Sequence, residues 1–260
     1  MFDKSLLLSR VVNTLQKNEF EIFHTQGCFD VAAKREHLLL VKTLLNIDGL
    51  SQEQALSLRA ISHFVSAFPF IVSVKNNREM LADNTVYSRY ELPVLTPKLF
   101  DDMLTDEDIS AMQSAKGRHT VEINTFTLRE RRNELGYSLE ELSKEIGISK
   151  KALYEIENKR VNPTNQTVKK LEAMLSIELR TPYEMKSANP VYLKPKDEFQ
   201  HKVSSEFSRI GIDNSPVYSA PFEIVGKEKF SLITRLSQNT VKIKKEVTAV
   251  KHLSDVFGSK

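Results

Sequence analysis

The chain has 260 residues, of which 40% are hydrophobic and 27% charged, and its formal net charge is +3. This is the composition of an ordinary soluble protein, and the charge is too small to indicate a nucleic-acid partner by itself. No apolar run approaches the ~18 residues of a membrane span, and the opening MFDKSLLLSR is too short for a secretory signal. A single cysteine, Cys28, excludes an intrachain disulfide and argues against a structural zinc site. We therefore expect a cytoplasmic protein that does not associate with membranes.

The N-terminal segment reads as a helix followed by strands. Apolar residues at Leu7, Val11 and Leu15 recur at helical spacing and predict an amphipathic helix over residues 3–18. After this helix, three short apolar runs predict strands: FEIF, CFDVAAK and HLLLVKTLL.

A second alternation of helix and strand follows. Ser51 with Gln54 forms a capping box, which predicts the start of a helix that Pro69 would stop. The runs FIVSV, TVYSRY and PVLT predict three more strands, and a helix should cover residues 97–104. This alternation predicts an open α/β sandwich, followed by a polar linker from Thr105 to Arg118.

The stretch from Thr125 to Leu175 predicts four short helices. Glycines end the first two, the capping box of Ser138 and Glu141 opens the second, and Ser149 caps the third. Asn-Pro-Thr at 162–164 breaks the chain before the fourth. Two short helices joined by a tight glycine turn form a unit that can fit its second helix into a major groove.

Positive charge is concentrated in the same stretch. Between residues 147 and 170 the acidic residues are only Glu155 and Glu157. The basic residues there are Lys150, Lys151, Lys159, Arg160, Lys169 and Lys170. A focused basic patch is the expected electrostatic footprint of a protein that binds duplex DNA.

The run LRERRNELGYSLEELSKEIGISKKALYEIENKRVNP resembles the Cro/phage-repressor (XRE-like) helix-turn-helix family in its apolar spacing and its closing IENKRVNP. The resemblance implies a DNA-binding domain over residues 120–178, with the helix 150–158 in the major groove. The base-reading residues that it implies are Lys150, Lys151, Ala152 and Glu155. Lysine can donate to guanine, alanine can contact a thymine methyl, and glutamate can accept from cytosine. The phosphate-binding residues that it implies are Ser138, Ser149, Tyr154, Asn158, Lys159 and Arg160.

Three further positions of this run matter for its interpretation. Arg132 and Glu157 match an ion pair that ties the first helix to the end of the third, which implies a structural role. Leu139 stands where the family usually carries a glutamine that braces the recognition helix and contacts a phosphate. One alternative is that Lys150 and Lys151 are solvated lysines of a helix-turn-helix adaptor that acts through protein–protein contacts.

The N-terminal segment, assigned to a domain over residues 1–116, resembles the restriction-endonuclease-like fold in its order of helix, strand, aspartate and a strand ending in x-x-Lys. Nucleases of that fold hold Mg²⁺ with an aspartate and with an acid two residues before a lysine. Asp30 and Lys42 match the first and last of these positions, but Leu40 stands at the acid position and offers no oxygen ligand. We expect no catalytic residue and no metal, and a fold reused for packing or dimerisation. A Mg²⁺-dependent nuclease is the second alternative.

The C-terminal segment, residues 197–260, follows a predicted linker over residues 179–196 and repeats the N-terminal strand-turn-strand unit. The aligned residues are Phe29, Asp30, Val31 and Lys34 with Phe222, Glu223, Ile224 and Lys227. A predicted helix precedes both copies. In the second copy Ile233 and Arg235 stand at the positions of the metal-binding acid and the lysine, so we expect no metal site there either.

The whole chain resembles an archaeal family of HTH-type transcriptional regulators, through CFDVAAK, LLLVKTLLNIDGLS, YSRYELPVLTP and the helix-turn-helix run. The expected fold is α/β plus all-α, a central XRE-like helix-turn-helix bundle flanked by degenerate restriction-endonuclease-like α/β segments. The resemblance implies a sequence-specific regulator that binds double-stranded DNA and is not an enzyme. A homodimer is expected because one small domain reads only a few base pairs. No cofactor is expected, and the sequence leaves open whether a small-molecule effector exists.

Overall fold

The computed structural model describes residues 3–83, 85–105, 112–115, 118–181, 185–236 and 250–258. The chain divides into two compact units. The α/β unit comprises Met1–Asp83, Arg89–Thr105 and Met185–Lys260, and the helical unit comprises Asn84–Ser88 and Asp106–Glu184. In sequence, the helical unit therefore interrupts the α/β unit twice.

The helices and strands have the following bounds in chain order. The helices are α1 (Lys4–Lys17), α2 (Gln52–Phe64), α3 (Pro97–Thr105), α4 (Thr125–Glu134), α5 (Leu139–Ile146), α6 (Lys150–Glu157), α7 (Asn165–Leu175) and α8 (Glu198–Arg209). The strands are β1 (Glu21–His24), β2 (Val31–Lys34), β3 (Leu38–Asn46), β4 (Phe68–Lys75), β5 (Thr85–Arg89), β6 (Leu92–Leu95), β7 (Met112–Ala115), β8 (Arg118–Val121), β9 (Asp213–Pro216), β10 (Ile224–Lys227) and β11 (Ser231–Thr234). Residues 250–257 are also helical. Over the described ranges, every helix lacks the length and apolar character needed to cross a membrane.

Within the α/β unit, five strands lie in the order β1-β2-β3-β4-β6. The first three are antiparallel neighbours, whereas β4 runs parallel to both β3 and β6. Every residue of β3 from Leu38 to Thr43 is buried. Because successive side chains of a strand point to opposite faces, both faces of the sheet are covered at β3. Helices α1 and α3 pack against each other and against these strands, and α2 packs against β4.

The predicted opening helix is present as α1. It begins at the cap Asp3, whose carboxylate accepts the backbone N–H of Leu6 at 2.8 Å. Leu7, Val11 and Leu15 form its buried stripe, as their spacing predicts. The N-terminal helix is therefore fixed by a local cap and by one apolar face.

The capping box predicted at Ser51 and Gln54 is present at the start of α2. The prediction that Pro69 stops this helix is wrong. α2 ends at Phe64, and Ser66 adopts a left-handed φ of 55° that turns the chain out of the helix. Pro69 is instead the second residue of β4, where its fixed φ is compatible with an extended strand.

The polar segment predicted as a linker from Thr105 to Arg118 contains strand structure. β7 lies inside this segment and β8 begins at its end, and the two strands pair antiparallel. β7 also pairs parallel with β5, within the helical unit. The linker prediction is wrong here because strand formation depends on partners that are distant in sequence and leave no alternation in the segment itself.

The C-terminal segment of the α/β unit has a helix and a three-stranded antiparallel meander of its own, α8 followed by β9, β10 and β11. Aligned positions of the N-terminal and C-terminal meanders have the same pairing register. The equivalent pairs are Glu21↔Lys34 with Asp213↔Lys227, and Val31↔Val41 with Ile224↔Thr234. The two segments thus share their backbone pairing as well as their sequence pattern.

The two meanders contact the same C-terminal side chain. Phe29 and its aligned residue Phe222 both contact Phe257, with ring centroids 6.4 and 6.3 Å apart. The turn before β2 also reaches the turn before β10. Gly27, at a φ of 135°, lies so close to the carbonyl oxygen of Ser219 that an added Cβ would overlap it. The C-terminal residues therefore complete the core that the N-terminal segment begins.

The helical unit packs α4, α5, α6 and α7 around one hydrophobic core. The buried residues of this core are Val121, Ile123, Leu128, Leu142, Ile146, Leu153, Ile156, Val168, Leu171, Leu175 and Leu179. The predicted local signals are confirmed, since Ser138 and Glu141 form the capping box of α5 and Ser149 caps α6. Gly147, in the left-handed conformation at a φ of 76°, makes the turn between these two helices. This is the predicted helix-turn-helix.

Candidate nucleic-acid interface

Helix α6 buries one side and exposes a basic first turn. Leu153 and Ile156 are 0% and 4% exposed and lie in the hydrophobic core of the helical unit. Lys150 and Lys151, the first two residues of α6, are exposed, and so is Tyr154. Because the helix is anchored through its apolar side, its N-terminal turn projects positive charge into solvent.

The four predicted base-reading residues lie in the first two turns of α6 in different environments. They are Lys150, Lys151, Ala152 and Glu155. The alanine is half-buried, and Lys151 has no hydrogen bond or ion pair with any residue that the structure describes. Lys150 Nζ lies 3.3 Å from Oε2 of Glu140. Arg160 Nη1 lies 3.2 Å from Oε1 of Glu155. Two of the four are therefore paired with opposite charges in the free protein.

The partner of Lys150 is a residue that the sequence did not single out. Glu140 lies in the first turn of α5, and its side chain is 75% exposed, against 61% for Lys150. Exposed ion pairs contribute only about 0–1 kcal/mol, so Lys150 can exchange this carboxylate for another acceptor with little loss. The contact depends on the angle between α5 and α6, which residue spacing alone does not reveal.

Most of the predicted phosphate-binding residues lie at or beyond the ends of α5 and α6. Lys159 and Arg160 are exposed in the turn after α6, where Lys159 has a left-handed φ of 58°. The guanidinium of Arg160 lies 5.7 Å from the ring centroid of Tyr154. Ser138 and Ser149 accept backbone N–H groups as helix caps, but each hydroxyl can still donate its own hydrogen to an oxygen.

Asn158, the sixth predicted phosphate-binding residue, has its side chain engaged within the protein. Its Nδ2 donates to the carbonyl of Tyr154 at 2.7 Å, and its Oδ1 accepts from Nη2 of Arg129 at 3.3 Å. The same arginine nitrogen donates to the carbonyl of Glu157 at 3.2 Å. Arg129 thus braces the C-terminal end of α6. The sequence did not identify it, because nothing in the spacing of the RERR run separates it from its neighbours.

Arg132 and Glu157, expected as a structural ion pair, form a buried two-pronged contact. Arg132 Nε lies 2.7 Å from Oε1 of Glu157, and Nη2 lies 3.1 Å from Oε2. Arg132 Nη1 also donates to the carbonyl of Tyr137 at 2.7 Å. The two residues are 9% and 5% exposed. This pair joins α4 to the last turn of α6 and so fixes the orientation of the helix whose first turn carries the lysines.

Two further residues of this segment serve the fold. Leu139 is half-buried and packs against the hydrophobic core, and an aliphatic side chain cannot donate to a phosphate as the family's glutamine does. Lys170 Nζ donates to the carbonyl of Ile146 at 2.9 Å, so one lysine of the basic patch caps the C-terminal end of α5. One lysine of the basic patch therefore serves as a helix cap.

The aspartate of the nuclease-like motif is surrounded by donors. Oδ1 of Asp30 accepts from Nζ of Lys42 at 3.0 Å and of Lys4 at 3.3 Å. Its Oδ2 accepts the backbone N–H and the hydroxyl of Thr43 at 2.7 and 2.9 Å. Burial raises the pKa of the Asp30 carboxyl, but the hydrogen bond from the Thr43 N–H and the charge of Lys42 outweigh burial and hold the pKa below its usual value.

The residues around Asp30 do not fit a divalent metal. Leu40 is fully buried and offers no oxygen, and both oxygens of Asp30 already accept hydrogen bonds from the protein. Among the described residues, no three His, Cys, Asp or Glu side chains are placed to hold a metal ion together. Since Mg²⁺ in proteins needs carboxylate oxygens and room for water, the hydrogen-bonded carboxylate of Asp30 beside Leu40 does not match such a site.

The C-terminal meander has an equivalent acid–base pair. Glu223 and Arg235 lie twelve residues apart, as Asp30 and Lys42 do, and Nη1 of Arg235 donates to Oε1 of Glu223. The backbone N–H of Leu236 donates to Oε2 at 2.8 Å, as the residue after Lys42 donates to Asp30. In both copies the acid therefore ties the start of the second strand to the third.

Comparison with known families finds two family models that match stretches of the chain. Residues 4–109 match the family model of the PD-(D/E)XK superfamily domain, and residues 128–181 match the family model described as helix-turn-helix. No solved structure matches the chain. The two matches coincide with the nuclease-like motif around Asp30 and with the helices that carry the basic turn.

Curated relatives from archaea match nearly the whole chain. A protein of Methanothermobacter thermautotrophicus is named "Putative HTH-type transcriptional regulatory protein". It is 32% identical in an alignment 269 residues long that covers 99% of this chain and 85% of that protein. Correspondingly named proteins of Methanocaldococcus jannaschii and Pyrococcus abyssi are each 26% identical, over 98% and 97% of this chain and 84% and 83% of their own lengths. From its identity to the first of these over most of both lengths, the chain belongs to this archaeal family of HTH-type transcriptional regulatory proteins.

Proposed function

We propose that this chain is a transcription regulator that binds double-stranded DNA sequence-specifically, with α6 in the major groove. The observation that carries the proposal is the exposed basic first turn of α6, Lys150 and Lys151, on a helix whose other side is buried through Leu153 and Ile156. Helix-turn-helix proteins read base edges with the N-terminal residues of a helix held in this way. The names of the archaeal relatives support the same function.

In this proposal, base readout comes from the first two turns of α6. Lys150 and Lys151 donate to O6 or N7 of guanine, and the Ala152 methyl contacts the methyl group of thymine. Glu155 accepts from N4 of cytosine once Arg160 leaves it for a phosphate. The two ion pairs of the free interface, at Lys150 and at Glu155, are exposed or half-exposed, so DNA can replace them at little cost.

Phosphate contacts come from the turn after α6 and from the helix caps. Lys159 and Arg160 are exposed there, and the hydroxyls of Ser138 and Ser149 lie at the N-terminal ends of α5 and α6, where anions are favoured. Such contacts set the position of the protein on the duplex but carry no base information. This division between readers and phosphate contacts makes the proposal testable residue by residue.

We further propose that two copies of the chain act together as a homodimer. One recognition helix contacts only a few base pairs, which is too little to specify a site in a genome. Two copies on half-sites one helical turn apart would double the number of base pairs read.

The experiment is selection of bound duplexes from a random pool, followed by affinity measurements on the selected and a scrambled duplex over a salt series. Replacing Lys151 with alanine should relax base preference at one position by about 1–3 kcal/mol. Replacing Lys159 should weaken both duplexes alike and lower the salt slope by about 1. Lys229→Ala is the matched control, because Lys229 is exposed on the α/β unit.

The outcomes separate the candidate functions. Enrichment of a palindromic site with half-sites one turn apart supports a dimeric regulator, and a single half-site argues for a monomer. Equal, steeply salt-dependent binding of both duplexes contradicts sequence specificity. Absence of binding at low salt would favour the adaptor, which acts through protein–protein contacts. If Lys151→Ala and Lys159→Ala behave alike, the assignment of readers and phosphate contacts is wrong.

A further inference from the structure

A cavity of about 450 Å³ opens in the α/β unit, and its lining includes neither Asp30 nor Lys42. It lies at the carboxyl ends of β4 and β6, which are parallel neighbours, since Val74 near the end of β4 and Thr96 directly after β6 both line it. In open α/β sheets, ligands bind in the crevice outside the carboxyl ends of the strands. Its volume falls within the roughly 300–1,000 Å³ of small-molecule sites.

Part of the lining of this cavity is apolar, and Val74, Met80 and Leu81 form what we call its apolar wall. Within this wall Leu81 is 7% exposed. Met80, also in the lining, is 68% exposed. Methionine is flexible and polarisable, so it can close over ligands of different shapes.

Two cations also line the cavity. Arg10, on the exposed side of α1, and Lys98, in the first turn of α3, both line the cavity. Neither has a hydrogen bond or ion pair with any residue in the described ranges. Of the described lining residues only Asp83 is negatively charged, so the cavity carries a net positive charge. An arginine here can hold a carboxylate through two parallel hydrogen bonds.

We propose that this cavity binds a small amphipathic organic anion, a carboxylate on a short aliphatic or aromatic body. The carboxylate pairs with Arg10 and Lys98, and the body covers Val74, Leu81 and the Met80 side chain. Such a ligand satisfies both features that the free cavity leaves open, the unpaired cations and the exposed apolar wall. An inorganic anion would pair only with the two cations, and a neutral apolar molecule would cover only the apolar wall.

On the proposed function, the position of the cavity in the chain would let a bound ligand regulate DNA binding. Asp83 is the last residue of the α/β unit before the chain first enters the helical unit, and α3 ends at Thr105, directly before the second entry. Lys98 is the second residue of the same helix. A ligand in the cavity therefore holds two of the segments from which the DNA-binding unit is reached. This regulatory role rests on the proposed function, whereas ligand binding itself does not.

The test uses the full chain and two probes, anilinonaphthalene sulfonate as a fluorescent apolar anion and octanoate as its competitor. The readout is the part of the fluorescence that octanoate displaces. The test variant is Arg10→Gln with Lys98→Gln, and the control is Lys17→Gln with Lys202→Gln, which removes the same charge from exposed positions on α1 and α8. All four positions are exposed, so both variants should keep the wild-type circular dichroism spectrum.

The wild type and the control should bind the dye saturably, with full displacement by octanoate, and the test variant should bind at least tenfold more weakly. Unchanged affinity in the test variant, or wild-type fluorescence that octanoate does not displace, would overturn the proposal. DNA affinity is measured separately with and without octanoate. A chain that binds octanoate through Arg10 and Lys98 but fails to bind any duplex would leave the cavity assignment standing and refute the proposed function.

Discussion

Replacing Glu157 with glutamine should destabilise the helical unit strongly, because it leaves the charge of Arg132 buried without a counter-ion. The pair has two short contacts, at 2.7 and 3.1 Å, and both residues are less than a tenth exposed. Removing one partner of a buried pair costs about 3–5 kcal/mol. Glutamine keeps the size of the side chain and one acceptor, and Arg132 keeps its hydrogen bond to Tyr137, so we expect the lower end, about 3 kcal/mol.

Hydrogen exchange of the full chain measures this loss where it occurs. Amides of α4 and α6 should exchange on the order of a hundredfold faster in Glu157→Gln, because every 1.4 kcal/mol corresponds to about a factor of ten. The exchange rates of amides in the α/β unit should not change. Glu145→Gln is the matched control, since Glu145 is exposed on α5 and has no hydrogen bond or ion pair with a described residue.

A double replacement separates charge burial from loss of shape. Arg132→Met with Glu157→Leu removes both charges and keeps apolar volume, and replacing a buried pair in this way is often neutral. We therefore expect exchange in α4 and α6 to return most of the way to the wild-type rate. If Glu157→Gln exchanges like the Glu145 control, the pair contributes no stability and the reasoning from burial is refuted.

Three other changes probe the α/β unit and the interface. Asp30→Asn leaves Lys42 buried with an unpaired charge and should lower the free energy of unfolding by about 3 kcal/mol at neutral pH. Because the pKa of Asp30 is lowered on folding, its contribution is present above the unfolded pKa of 3.8 and is lost as pH falls through the folded pKa. Denaturation curves of this variant and the wild type should therefore converge in acid, and a constant difference would contradict the assignment. Gly27→Ala adds a methyl group where a carbonyl oxygen already lies, at a positive φ. It should lower the free energy of unfolding by at least ~2 kcal/mol, which a lower melting temperature would show. Glu140→Gln frees Lys150 and should tighten DNA binding a few-fold in an anisotropy titration; weaker binding would show that this carboxylate helps the lysine.

The parts of the fold that the sequence predicts best are those determined by neighbouring residues. The capping box of Ser138 and Glu141, the left-handed turn at Gly147 and the cap at Ser149 each act within four residues. Their energies of about 1 kcal/mol attach to fixed residue types, so spacing is sufficient to identify them. The buried stripe of α1 is also identified by spacing alone, because Leu7, Val11 and Leu15 recur every four residues.

Contacts between elements are predicted less well. The pairing of β7 with β5, the contact of Arg129 with Asn158 and the pairing of Glu140 with Lys150 all depend on how distant segments pack. No local pattern records such geometry. The positions of Arg132 and Glu157 came from the family resemblance and not from their spacing.

The same limit applies to the candidate sites. The basic patch is visible in sequence because its lysines lie close together along the chain, whereas Arg10 and Lys98 are brought to one cavity only by the packing of α1 beside α3. Pro69 shows the opposite error. A proline that would break a helix also fits near the start of a strand, and only the left-handed turn at Ser66 decides where α2 ends.

The packing of Phe257 against both Phe29 and Phe222 has a consequence for synthesis on the ribosome. The core of the helical unit, from Val121 to Leu179, is nearly continuous in sequence and can close as soon as it emerges. The α/β unit cannot, because the aromatic ring that joins its two meanders belongs to Phe257, which is translated well after Leu179. Until residue 257 has been translated, the Phe29 ring lacks this packing partner. The incomplete α/β unit is then exposed to chaperones and proteases. A chain released before residue 257 would therefore carry a finished helix-turn-helix on an unfinished α/β unit.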